Sequence, residues 1–377
     1  MKILFTGGHT GGHFYPIIAV AQELKRLAEA DKLIRPELYY FAPDPYSRRL
    51  LFEEGINYVR VPAGKWRRYF SLLNFTDLFK TLTGIVQAIF KVYWLYPDVV
   101  FAKGGFASFP VLLAARLLRI PVIIHESDSK PGRVNAWAGK FAEAVAVSYP
   151  EAVKYFEKKN NQVAVTGNPI RRELLTKITD GAHDFLKLEP AVPTILIIGG
   201  SQGAMVLNNA ILDILPELTE QYQLIHQTGR EHLEEITGRA KFILEGKPGA
   251  GRYHAYDYLN GTAMRMVAGV TNLVVSRAGS SVFEFANWEL PTILIPIPET
   301  VSHDQRTNAY TYARSGAALV IEEGNLTPSV LWSEIKRLLG DEKILTKMKA
   351  GARQFKRPEA GEIIAKYILT IALEHEK

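Results

Sequence analysis

KILFTGGHTGGH, residues 2–13, begins as a short apolar run and breaks into glycines, and behind it apolar residues recur at helical spacing from about Tyr15 to Glu29. A strand (Lys2 to Phe5), a glycine-rich turn and a helix make the entry to an α/β domain. Strand-like runs follow at Leu38 to Phe41, Val99 to Phe101, Val122 to His125 and Ala144 to Val147, with helical segments between them. The spacing predicts a parallel sheet wrapped by helices. After Pro193 the pattern restarts with strand Thr194 to Ile198, glycines Gly199 and Gly200, a helix from about Met205, and strands Gln223 to His226 and Leu273 to Ser276. Two similar nucleotide-domain-like halves are expected. Their boundary is placed near Gly167, where Gly167-Asn168-Pro169 interrupts regular structure. This divides the chain into an N-terminal domain over 1–167, a C-terminal domain over 168–357, and a terminal helix over 358–377 that packs back toward the N-terminal domain.

The whole chain is compatible with this division, because 377 residues accommodate two cores of ordinary size. With 47% apolar and 22% charged residues, it has the composition of a folded protein and not of a disordered one. It contains no cysteine, which excludes disulfides, thiolate metal sites and cysteine nucleophiles. Glycines arrive too soon after Met1 for the apolar core of a secretory signal, so a cytoplasmic location is expected. Lys91 and Arg116 interrupt the two longest apolar stretches, which argues against a spanning helix. The formal charge of +6 favours anionic partners without choosing among nucleotide, phospholipid and nucleic acid.

Several segments can carry chemistry. The loop Gly7 to His13 lies between strand and helix, where unpaired N–H groups favour an anion or a polar ligand. It lacks the G-x-G-x-x-G spacing of a dinucleotide fingerprint, which disfavours an oxidoreductase. His13, at the helix start, is a candidate general base, since the positive dipole end opposes protonation; holding the loop together is its bland alternative. Gly199 to Ala204 repeats the arrangement, with Ser201 as a hydroxyl donor for a diphosphate, and Arg277 to Glu284 repeats it again. There Ser280 and Ser281 precede Glu284, which can accept from ribose hydroxyls or simply favour a first helical turn. Gln305 and Asn308 suit sugar hydroxyls, or a solvated helix start. Lys103-Gly104-Gly105-Phe106 and His125-Glu126-Ser127-Asp128, with Asn135 further on, fall at expected strand ends. No metal-ligand spacing accompanies Glu126 and Asp128, and neither a metal nor another cofactor is expected. Between Gly64 and Tyr96, Lys65, Trp66, Arg67, Arg68, Tyr69 and Phe70 lead into Phe75, Phe79, Phe90, Tyr93 and Trp94. A segment lying on an anionic membrane and a core helix with a basic edge both fit this pattern. No nucleic-acid motif appears, and no nucleic-acid partner is expected.

In order along nearly the whole chain, GGHTGGHFYP (7–16), KGGFASFP (103–110), HESDSKPGRVN (125–135), TGNPIR (166–171), GGSQGA (199–204), HQTG (226–229), SRAGSS (276–281) and HDQRTNA (303–309) closely resemble the MurG family of bacterial peptidoglycan glycosyltransferases. The resemblance implies a GT-B fold, two Rossmann-like domains whose parallel sheets face a deep interdomain cleft. It implies transfer of N-acetylglucosamine from UDP-N-acetylglucosamine (UDP-GlcNAc) to the 4-hydroxyl of a muramyl pentapeptide on undecaprenyl diphosphate, converting lipid I to lipid II with inversion. The N-terminal domain would take the acceptor and dock on the cytoplasmic face of the membrane as a peripheral protein, and the C-terminal domain would bind UDP-GlcNAc. By carry-over, Thr10, Gly11, Gly12, Asp128, Arg171, Ser201, Ser280, Ser281, Glu284 and Gln305 contact the donor, and Gly104, Gly105 and Asn135 the acceptor. His13 is the preferred base and Glu126 its rival. Two departures mark this chain. The family segment corresponding to Arg277 to Glu284 is usually one residue longer, and asparagine commonly stands where this chain has Asp128. A relative with another lipid acceptor, or a non-catalytic sugar-nucleotide-binding subunit, is the alternative.

Overall fold

The computed structural model describes all residues except 9, 66–72, 158–161, 200–203, 299–304 and 376–377. The chain forms two compact units, one of Met1–Arg171 with Arg357–Lys377, the other of Arg172–Lys356.

In the first unit, strands β1 (Lys2–Thr6), β2 (Glu37–Ala42), β3 (Ile56–Arg60), β4 (Val99–Ala102), β5 (Val122–Glu126), β6 (Ala144–Val147) and β7 (Gln162–Val165) form a parallel sheet in the order β3-β2-β1-β4-β5-β6-β7. The chain builds outward from β1 in one direction and from β4 in the other. This opens a crevice at the carboxyl ends of β1 and β4, the topological switch point at which open α/β sheets bind ligands. One sheet face packs Ile3, Phe5 and Phe101 against Phe14, Ile17, Ala21 and Leu24 of the helix Gly11–Ala30 and against Ile364, Ile368 and Ala372 of the C-terminal helix Ala360–His375. The opposite face packs Leu4, Val100 and Ile124 against Val111, Leu112, Ala88 and Val92. Arg26 joins the two helices of the first face through Glu23 and Glu362.

The helix after β1 starts at Gly11, four residues earlier than the apolar pattern predicts. Glycine is a poor helix former, which hides this turn from a sequence reading. Burial of Phe14 and Ile17 in the core, with the His13 and Phe14 N–H groups bonded to Thr10 O at 3.0 Å, outweighs that preference. Pro16 has no N–H, and so withholds the helical hydrogen bond from the Gly12 carbonyl.

The helix Leu73–Leu95 has two unlike faces. Asp77, Gly84, Ala88 and Val92 turn inward at helical spacing, and Gly84 lies so close to the Pro62 carbonyl that a Cβ would meet its oxygen at 1.7 Å. Phe75, Phe79, Leu82, Val86, Phe90, Tyr93 and Trp94 form an exposed apolar row, with Phe90 62% and Trp94 81% accessible. The helix is thus neither wholly buried nor polar on its outer side. Trp66, Arg67, Arg68, Tyr69 and Phe70 lie outside the described residues. Among those described, no helix is long and apolar enough to cross a membrane.

In the second unit, β8 (Thr194–Ile198), β9 (Gln223–Gln227), β10 (Tyr253–Tyr256), β11 (Thr271–Ser276), β12 (Thr292–Leu294) and β13 (Ala318–Val320) form a parallel sheet in the order β10-β9-β8-β11-β12-β13. Its switch point lies between β8 and β11. The loops following those two strands therefore flank the crevice, as the loops after β1 and β4 do in the first unit.

Candidate active site

In the first unit, the turn after β1 and the turn after β4 meet through His13. Thr10 caps the helix start with its carbonyl, and its Oγ1 lies 2.9 Å from His13 Nδ1. The imidazole packs flat against Gly8, where a Cβ would meet Nδ1 at 2.7 Å, and reaches the neighbourhood of Gly105, whose Cβ would lie 3.2 Å from Gly8 Cα and 3.6 Å from His13 Cε1. Gly104 and Gly105 adopt φ of +83° and +80°, a region open to glycine and strained for other residues. Thr10, Gly11, Gly12 and His13 thus form the first helical turn, with Gly105 beside it.

A second cluster gathers at the end of β5. Glu126 is 5% exposed. Its carboxylate accepts from the Asp128 N–H (3.1 Å), the Gly132 N–H (3.0 Å) and Asn135 Nδ2 (2.9 Å), which folds the 126–135 segment around it. Asn135 Nδ2 also donates to His125 O at 3.1 Å, and the Asn135 amide blocks any side chain at Gly104, where a Cβ would meet it at 2.6 Å. Glu126 and Asn135 therefore point into the protein and shape the loop. Burial raises the Glu126 carboxyl above the ordinary carboxylate range, Asp128 adding to the shift, while Asn135, the Asp128 N–H and Lys103 oppose it. His125, fully buried with Nε2 2.9 Å from Gly167 O, is held well below its usual value by burial and by Lys103.

Two residues of this cluster have no role in the sequence reading. Lys103 is 1% exposed, its N–H donates to Thr6 O at 2.9 Å, and its ammonium donates to Ser127 Oγ. Burial lowers its pKa, with Glu126 and Asp128 acting the other way. Asn168, from the Gly-Asn-Pro segment, places Oδ1 3.5 Å from Ser127 Oγ. Lys103 is conspicuous as a cation between an apolar strand and two glycines, and that signal could have singled it out. Arg171, 8% exposed, holds its guanidinium 4.3 Å from the ring centroid of Tyr15, one helical turn beyond Gly11.

The second unit carries a different kind of site. Ser201 lies outside the described residues, as does most of the turn after β8. After β11, Gly279, Ser280 and Ser281 are partly accessible, and Glu284 sits in the first turn of the short helix Val282–Asn287. Arg277, at the root of this turn, is buried; Nη1 donates to Ile295 O at 3.0 Å and Nη2 pairs with Glu323 at 2.5 Å. Gln305 begins the helix Gln305–Arg314 and accepts from the Ile297 N–H at 3.2 Å. Asn308 is buried, on the inner face of that helix. A buried polar chain ties strands β9 and β10 to the helix Met205–Leu212. The Tyr253 hydroxyl lies 2.9 Å from His226 Nδ1, His226 Nε2 lies 3.0 Å from Asn208 Oδ1, and Asn208 Nδ2 donates to Thr228 O at 3.1 Å. Burial depresses His226 to about 3, so it is neutral, with Nε2–H donating and Nδ1 accepting.

Residues 3–147 match the glycosyltransferase family 28 N-terminal domain, and 194–363 match its C-terminal domain. The UDP-N-acetylglucosamine--N-acetylmuramyl-(pentapeptide) pyrophosphoryl-undecaprenol N-acetylglucosamine transferase of Clostridium kluyveri is 36% identical over 97% of this chain and 99% of its own length. A Bacillus cereus protein of the same name, numbered 2, is 35% identical over 97% and 99%. The crystal structure of MurG from Acinetobacter baumannii superposes with a TM-score of 0.73 at 25% identity, over 98% of this chain and 99% of that one. Two parallel α/β sheets, glycine turns at both switch points and these matches along almost the full length lead to one assignment: the chain belongs to glycosyltransferase family 28.

Proposed function

We propose that this chain transfers N-acetylglucosamine from UDP-GlcNAc to the 4-hydroxyl of a muramyl pentapeptide carried on undecaprenyl diphosphate, the lipid I to lipid II step of peptidoglycan synthesis. The observation that carries the proposal is the 36% identity to a transferase of that name over 97% of the chain. The imidazole held between the two glycine turns of the first unit supplies a group suited to the chemistry. In the tautomer that donates Nδ1–H to Thr10 Oγ1, the His13 lone pair is at Nε2, and the helix start opposes protonation. His13 takes the proton of the acceptor hydroxyl as its oxygen bonds to the anomeric carbon, and the bond from that carbon to the UDP oxygen breaks on the opposite face, inverting the centre. Glu126 is the weaker candidate for this role, because its carboxylate is engaged by three internal donors. Departing UDP gains negative charge, which the turns after β8 and β11, through backbone N–H groups with Ser201, Ser280 and Ser281, and Arg171 are suited to hold. Glu284 takes the ribose and Gln305 the sugar. Thr10, Gly11, Gly12 and Asp128 approach the donor, with Asp128 accepting where an asparagine would also donate. Gly104 and Gly105 leave room for the acceptor, and Asn135 sets their position.

The exposed apolar row of Leu73–Leu95 and the net charge of +6 support peripheral docking on the anionic inner leaflet, where the acceptor resides. The deciding experiment is transfer of labelled N-acetylglucosamine to the lipid-linked muramyl pentapeptide in detergent, with and without a chelator. Product formed in both arms supports the assignment and a reaction that needs no metal. Binding of UDP-GlcNAc with no transfer would leave a sugar-nucleotide-binding subunit instead.

A further inference from the structure

Neither Lys103 nor Ser127 has a part in the reaction described above, yet their geometry constrains what Ser127 can do. An ammonium carries three donors and no lone pair, so in its contact with Lys103 the Ser127 oxygen accepts. The single hydroxyl proton must then point elsewhere. The protein acceptor on its other side, Asn168 Oδ1, is 3.5 Å away, at the outer limit of a hydrogen bond. Ser127 is half-buried and lies one residue past the carboxyl end of β5, between two carboxylates that accept when ionised. The ionisable groups whose charges bear on Lys103 are Glu126 and Asp128, with His125 beneath them. Burial holds the cation in place, and its contact with the Ser127 oxygen leaves the hydroxyl proton to the other side.

We propose that Ser127 donates a hydrogen bond to a neutral sugar oxygen during transfer, a hydroxyl or the acetamido carbonyl, and that Lys103 is the positioning residue that aims its proton. This rests on the glycosyl-transfer assignment. A lysine that merely cements the strand ends would affect folding without making the serine hydroxyl matter.

Kinetics of Ser127→Ala, Ser127→Thr, Lys103→Met and the double variant, alongside their thermal midpoints, test the idea. Ser127→Ala is expected to lower kcat/KM about tenfold, the effect of one lost donor, with a midpoint near that of the wild type. Ser127→Thr, which keeps the hydroxyl, recovers most of that loss. A rise in KM for UDP-GlcNAc assigns the oxygen to the donor, a rise in KM for the lipid acceptor assigns it to the acceptor, and a loss in kcat alone marks a contact made in the transition state. Lys103→Met gives a loss similar to that of Ser127→Ala, and the double variant is no worse than the poorer single one; losses that multiply overturn the coupling. If Lys103→Met does not fold, the two serine variants decide the matter. Unchanged kcat/KM in Ser127→Ala, or a threonine variant as impaired as the alanine one, overturns the proposal. A wild-type chain that transfers no sugar sinks the functional assignment instead, and that control tells the two failures apart.

Discussion

At the carboxyl edge of the first sheet the protein buries ionisable groups, Lys103, His125 and Glu126, and keeps His13 at the surface of the crevice; at the edge of the second it presents glycines and serines, while Arg277, at the root of the turn after β11, is tied to Glu323 and Ile295. The same sheet architecture thus carries two unlike sets of side chains, matching the two roles proposed for them. Moving a proton, the role proposed for His13 at the first edge, needs a titratable group held in one orientation. Holding a diphosphate needs many weak donors at short range, which backbone N–H groups and hydroxyls provide without the desolvation cost of another buried charge.

Four measurements break or sharpen that contrast. The largest effect is expected from His13→Ala, which lowers kcat on the order of a hundredfold or more while leaving UDP-GlcNAc affinity close to wild type; near-normal turnover in steady-state assays would remove the proton-handling role from the first edge. Next is Glu126→Ala, which strands three donors and costs about 1–3 kcal/mol of stability, read as a lower unfolding midpoint. Lost turnover at an unchanged midpoint would instead restore Glu126 as the base.

A smaller effect separates the sheets by pH. His226 is depressed to about 3 from 6.5, so its contribution is fully present above pH 6.5 and is lost as pH falls toward 3. The raised Glu126 carboxyl works in the opposite sense, its contribution being present below the ordinary carboxylate range and lost as pH rises through the shifted value. His226→Gln should therefore flatten the fall in unfolding midpoint below pH 6.5, and an unaltered slope would show that the buried imidazole is not its source. The smallest effect on stability is expected from Phe90→Ser with Trp94→Ser, within about 0.5 kcal/mol for each exposed site. The same pair should markedly reduce sedimentation with anionic vesicles, and undiminished binding would move the docking surface off this helix.

Legibility in the sequence followed burial. β1, β2, β4, β5, β6, β8, β9, β11 and β12 are interior strands, and each shows as an apolar run because helices cover both sheet faces. β3, β7, β10 and β13 are the four sheet edges. Of these, β7 (Gln162–Val165) and β10 (Tyr253–Tyr256) have residues that are exposed or only half covered, and no long apolar run marks them. Among site residues, the glycine turns could be found because glycine concentrates where strand meets helix. The inward orientation of Glu126 could not, since the residue type is the same whether its carboxylate faces a substrate or three N–H groups.

From the sequence alone came the two α/β halves, the position of both switch-point turns, the absence of thiol chemistry and the candidacy of His13, all properties of neighbouring residues or of the total composition. Tertiary structure alone decided the rest. Lys103 meets Ser127 because β4 lies beside β5, Glu126 is enclosed because the following segment folds back to Asn135, and Arg277 is occupied because Glu323 lies against it. Those contacts depend on which strands adjoin and on how much water the packing excludes, and neither is written in any local stretch of the chain.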